Sequence, residues 1–128
     1  MKVLQIKQLD EKDTIITETL ISLGMNRNIA LALTCLQNMN SATSLDLDKR
    51  VNLRQPEVSI AMKQLKEYDW ITEREENKIG KGRPNKVYSL KVGFNDIVNH
   101  LEKQQKKAFD EAKEKIERLK DLGNKSKN

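Results

Sequence analysis

Residues Leu53–Ile71 read LRQPEVSIAMKQLKEYDWI, and Asn77–Lys86, a few residues on, read NKIGKGRPNK. Pro56 fits the first turn of a helix, where its missing N–H is not needed. Glu57 in that turn suits the positive end of the helix dipole. Val58, Ala61, Met62 and Leu65 recur at helical spacing and form an inward stripe, which leaves Gln55, Ser59, Lys63 and Lys66 on the outward side. Asp69 is expected to end the helix, in a left-handed position that Asp tolerates. Trp70–Glu75 then reads as a strand, and Val87, Tyr88 and Leu90 as its returning partner. Gly80, Gly82 and Pro84 between them are turn formers that cannot continue a strand pair. The tip they make holds Lys78, Lys81, Arg83 and Lys86 and no acid.

Upstream, a helix is expected to begin near Asp10, with Ile15, Ile16, Thr19, Leu20 and Leu23 as its apolar face and Gly24 as its stop. Asn26 can cap a second helix. Its apolar positions, Ile29, Ala30, Leu31, Leu33, Leu36 and Met39, cover more than one face, which marks it as the central buried helix. Asn40–Thr43 reads as a connector. A short third helix follows with Leu47 and Val51 on one face. Asn52 can then take the left-handed conformation that a tight helix–helix turn needs. Residues 1–9 fit neither the helical nor the strand period.

From Phe94 to Leu122 the pattern is one long helix. Ile97, Leu101, Ala108, Ala112, Ile116, Leu119 and Leu122 fall on one side at steps of three, four or seven residues. At about 1.5 Å per residue it would be roughly 40 Å long, more than the preceding domain can cover. These seven residues are therefore expected to form the dimerisation stripe, its near end packing also on the domain and its far end on a second copy of the chain. Gly123 is expected to end it, with 124–128 a disordered tail. The expected domains are thus 1–92, a 93–123 dimerisation helix, and that tail.

The chain has 128 residues, of which 34% are charged and only 4% aromatic, so its core must be aliphatic and modest. The net charge of +5 permits an anionic partner without requiring one. No apolar run approaches the roughly 20 residues of a membrane span, and the N-terminus lacks a signal-peptide pattern. The single Cys35 cannot form an internal disulfide, so a cytoplasmic protein is expected. Cys35 and the single His100 fall in different helices, which does not support a metal site. No nucleophile–base pair, paired-carboxylate motif, phosphate loop or dinucleotide fingerprint is present. Neither an enzyme nor a cofactor is expected.

Leu53-Arg54-Gln55-Pro56-Glu57-Val58-Ser59, followed by Lys63, Leu65, Lys66 and Trp70-Ile71, resembles the recognition-helix region of ArsR, MarR and TrmB-like regulators of bacteria and archaea. Gly82-Arg83-Pro84 with Val87-Tyr88-Ser89-Leu90 is similar to the second wing strand of that group. The resemblance covers Thr43–Leu90. It implies a mainly α fold, a winged helix-turn-helix with a small β-hairpin wing and a long C-terminal dimerisation helix. It also implies a sequence-specific, double-stranded DNA-binding transcriptional regulator acting as a homodimer. The residues expected to meet DNA are Arg54, Gln55, Pro56, Ser59, Lys63 and Lys66 on the helix and Lys78, Lys81, Arg83 and Lys86 on the wing. The chain departs from the pattern at Arg54, where a hydroxyl cap is usual, and at Glu57, whose carboxylate would face phosphates. Ile60 and Ala61 stand where polar residues are usual. These departures keep open an alternative, a winged helix that binds another protein of the transcription machinery and reads no operator. No operator and no small-molecule effector can be read from the sequence.

Overall fold

A computed structural model describes residues 10–76 and 85–126. The element order is α1 (Glu11–Ser22), α2 (Arg27–Met39), β1 (Ser41–Thr43), α3 (Ser44–Val51), α4 (Gln55–Glu67), β2 (Ile71–Glu76), β3 (Asn85–Leu90) and α5 (Phe94–Ser126). Two compact units result, Met1–Phe94 and Asn95–Asn128. No helix among the described residues is long and apolar enough to cross a membrane.

Local chemistry sets the helix ends of the first unit. Asp10 caps α1, accepting from the Asp13 N–H, while the Asp13 carboxylate accepts from the Asp10 N–H. Asn26 caps α2 by accepting from the Asn28 and Ile29 N–H groups. Thr43 and Asp46 repeat the reciprocal cap at α3. The reversals are made by Asn40, Asn52 and Asp69, with φ of 73°, 59° and 64°, and by Gly24 at 103°. Asn52, as expected, turns α3 into α4. A β-branched residue cannot hold that conformation cheaply. Asn52→Val is expected to destabilise the chain by about 1–2 kcal/mol, measured by thermal denaturation; an unchanged midpoint would contradict this account of the turn.

The core of the first unit is built around α2, in which Ala32, Leu33, Thr34, Cys35 and Leu36 are all buried. It packs against α1, α3, α4, β1 and β3. Val58, Ala61, Met62 and Leu65 of α4 are buried as expected. The α1 face differs from the expected one. Asp13, Thr17 and Leu20 point inward, whereas Ile15 is 58% exposed and Leu23 40%. The polar groups are satisfied: Asn38 donates to Asp13 at 2.9 Å, and the Thr17 hydroxyl lies 2.9 Å from that of Thr34. A paired polar group loses little on burial, so this face competes with an apolar one.

The sheet is antiparallel, in the order β1-β3-β2. Residues 41–43, expected as a connector, are its third strand, with Ala42 opposite Tyr88 and Thr43 opposite Val87. This makes β3 the central strand, and Val87 and Tyr88 are buried although they point to opposite faces. On β2, Ile71 is buried and Glu73 half-buried, with Thr72, Arg74, Glu75 and Glu76 exposed.

The second unit belongs to α5, a helix of 33 residues that starts at Phe94 and runs through Gly123 to Ser126. The expected stop at Gly123 and the expected disorder from Asn124 are thus replaced by helix as far as Ser126. A lone glycine costs only about 1 kcal/mol relative to alanine inside a helix, and Lys125 in the last turn suits the negative end of the dipole.

Candidate nucleic-acid interface

The outward face of α4 is open to solvent along its length. Arg54, Gln55, Pro56, Ser59, Ile60, Lys63, Gln64 and Lys66 are all exposed. Val58, Ala61, Met62 and Leu65 hold the opposite face in the core, which fixes the rotation of the helix about its axis. At the N-terminus, Arg54 does not cap with its side chain. Its N–H donates to the Glu57 carboxylate at 2.9 Å. The Glu57 charge, expected to oppose phosphates, is therefore turned back onto the positive end of its own helix, where it is favourable.

The C-terminal half of α4 lies beside the hairpin. A groove of about 440 Å³ runs between them, lined among others by Ser59, Lys63, Lys66, Glu73, Lys86 and Tyr88. Glu73 sits in it with its side chain 23% exposed. The Lys66 ammonium lies 3.2 Å from one of its carboxylate oxygens, and the Lys86 ammonium 3.8 Å from the other. Lys66 comes from α4 and Lys86 from β3, so a β2 carboxylate ties helix and hairpin together. On the exposed side of the hairpin, Arg74 pairs with Glu76 at 3.3 Å. At the far end, the rings of Tyr68 and Trp70 stack with centroids 4.4 Å apart. The Lys91 ammonium reaches Asp69 at 2.7 Å, and its backbone N–H donates to the Trp70 carbonyl.

The structure thus brings Ser59, Lys63, Lys66 and Lys86 to one groove, and leaves Arg54, Gln55 and Pro56 exposed at the start of α4. Lys78, Lys81 and Arg83 lie outside the described residues. Glu73 was missed in the sequence. The available signal was alternation: Glu73 shares a strand face with Ile71, which must point to the core. Ile60, exposed at 67%, is the apolar exception on the face.

In the second unit, Ile116, Leu119 and Leu122 are exposed at 52%, 69% and 54%. Ala108 and Ala112 are also exposed, whereas Ile97 and Leu101 are buried. Phe109, exposed at 67%, was overlooked. It stands one turn before Ala112 and two before Ile116, a spacing that should have placed it beside the stripe. Cys35 is fully buried in α2, and burial pushes its thiol from 9.0 up to about 11, so it is held as a neutral packing group.

No protein-family model matches the chain, and no curated protein sequence matches it. Solved structures do. A possible transcriptional regulator from Methanosarcina mazei Go1 superposes with a TM-score of 0.60 at 18% identity, over 91% of this chain and 94% of that one. NadR in complex with 4-hydroxyphenylacetate covers 95% of this chain and 94% of its own at 14% identity, with a TM-score of 0.46. The first likeness, together with the helix-turn-helix α3–α4 and the hairpin behind it, establishes a winged-helix fold.

Proposed function

We propose that the chain is a transcriptional regulator that binds double-stranded DNA sequence-specifically as a homodimer, without catalysing a reaction. The observation that carries this reading is the shared groove: Ser59, Lys63 and Lys66 of an exposed helix face lie beside Lys86 of the hairpin. A helix of this kind enters the major groove and a basic wing follows the adjacent backbone. Gln55, Ser59 and Lys63 would meet base edges, and Lys66, Lys78, Lys81, Arg83 and Lys86 phosphates. Arg54 and Pro56, at the start of α4, would face the backbone where the helix enters. The fold shared with the possible regulator from Methanosarcina mazei Go1 is in keeping with this role.

Two copies would place two such helices in successive major grooves. The far half of α5 is proposed as the seam, through Ala108, Ala112, Ile116, Leu119 and Leu122, with Phe109 beside them. Ile97 and Leu101, already buried, would contribute less than the sequence reading assigned to them.

The direct test is selection of bound duplexes from a random DNA pool, followed by titration of the selected site at several salt concentrations. Each phosphate contact contributes about 0.9 to the slope of log affinity against log salt. Lys81→Ala with Arg83→Ala is expected to weaken binding to every duplex and to flatten that slope by about 1.8, two contacts' worth. An unchanged slope would remove the wing from the interface. A second reading is favoured by Ile60, an exposed apolar side chain in the middle of the face. In it the face docks on a protein. A chain that enriches no duplex and shows no salt-dependent DNA binding would shift the reading there.

A further inference from the structure

We propose that Glu73 is a built-in competitor of the DNA backbone, holding Lys66 and Lys86 in the free protein and releasing them to phosphate on binding. The inference rests on the DNA-binding reading and adds to it a residue that sets overall affinity and leaves base preference alone.

The geometry is that of an anion already in place. The two carboxylate oxygens of Glu73 each face a different ammonium group, at 3.2 Å for Lys66 and 3.8 Å for Lys86. Those lysines come from the two elements, α4 and β3, that a DNA backbone would have to bridge. Lys63 and Ser59 line the same groove. A phosphate presents the same pair of charged oxygens as a carboxylate. Both lysine side chains keep about half their exposure, 49% and 53%, so the ammonium groups can turn outward without unfolding anything. Glu73 cannot follow them. It is fixed to β2 opposite Tyr88, which is buried, and its own side chain is only 23% exposed.

Without Glu73, Lys66 and Lys86 would bring two positive charges to the backbone. With it, the cluster brings one, and the approaching phosphate meets a fixed negative charge behind the lysines. The slope of log affinity against log salt falls by about 0.9 for each phosphate charge that the protein no longer neutralises. Glu73 therefore lowers affinity for cognate and non-cognate duplexes alike. It contacts no base in this arrangement, so the ratio between the two stays as it is. Because that ratio is unchanged, the brake shifts the regulator from all DNA toward the free state and does not sharpen its choice between sites.

The test uses the full chain and two duplexes, the selected site and a scrambled sequence, titrated across salt concentrations. Glu73→Gln keeps the shape of the side chain and removes its charge. It is expected to bind both duplexes about 5–10-fold more tightly at low salt and to steepen the slope by about 0.9, with the ratio between duplexes unchanged. Glu76→Gln changes the net charge equally, but among the described residues Glu76 pairs with Arg74, outside the groove; it should give less than half that gain. Glu73→Thr, a side chain suited to a strand, is expected to act in the same direction as Glu73→Gln. Weaker binding by both Glu73 variants would overturn the proposal and make Glu73 an organiser of the lysines. Equal gains from Glu73→Gln and Glu76→Gln would overturn it as a mere effect of net charge. If the parent binds DNA and Glu73→Gln leaves its slope unchanged, this inference alone fails. If the parent binds no duplex, the DNA reading fails and takes the inference with it.

Discussion

Ile116→Asp combined with Leu119→Asp is expected to leave Met1–Phe94 folded and to weaken DNA binding by roughly 10²–10⁴-fold. Both side chains are exposed, at 52% and 69%, so the charges enter no packed core of the single chain. In the proposed dimer they would face each other across a seam, where burying an unpaired charge is costly. Tethering two recognition helices makes the second binding event intramolecular, and its loss returns each half to its own weak affinity. Sedimentation of the parent and the variant reads the first part of the prediction, and titration with the selected duplex the second. A parent that sediments as a monomer at micromolar concentration would remove the dimer, and the two-half-site mechanism with it.

Leu33→Ala is expected to be the most damaging single truncation, at about 2–5 kcal/mol. Leu33 is completely buried on α2, the helix that packs against α1, α3, α4, β1 and β3. A loss of that size is a large share of the roughly 5–15 kcal/mol by which a native protein outlasts its unfolded chain. For a unit of this size each kcal/mol lowers the melting temperature by about 4–8 °C, so a fall of 10 °C or more should be seen by calorimetry. DNA binding by the fraction still folded should be nearly normal, because α2 offers no side chain to the proposed interface. A variant that melts within 3 °C of the parent would mean that the surroundings collapse into the space.

The helices were legible because their signals are local. Asn26, Asn52, Pro56 and Asp69 act on their immediate neighbours, and the stripe Val58, Ala61, Met62 and Leu65 is a matter of spacing within one helix. Residues 41–43 were not legible as a strand. Three residues carry no period, and the partners that make them a strand, Val87, Tyr88 and Ser89, lie far along the chain. The buried face of α1 escaped for another reason. Hydropathy favours Ile15 over Asp13 and Thr17, and it cannot foresee that Asn38 and Thr34 stand ready to satisfy them. At the candidate site, the exposure of Gln55, Ser59, Lys63 and Lys66 was legible from the stripe opposite. The use made of the acids was not: Glu57 turns back to its helix, and Glu73 takes two lysines from separate elements.

The order β1-β3-β2 has a kinetic meaning as well. The β2–β3 ladder joins segments close in sequence and can zip as soon as its turn forms. The β1–β3 ladder must bring Ser41 to Ser89, closing a loop that contains α3, α4 and the whole hairpin. Loop-closure entropy makes such a pairing late. The three residues of β1 are therefore expected to act as a clasp that shuts after α2, α3 and α4 have assembled, and in refolding the protection of the Tyr88 region from solvent exchange should mature in step with the core. On that order, the hairpin that would touch DNA would be committed to its final position only when the helix beside it is already in place.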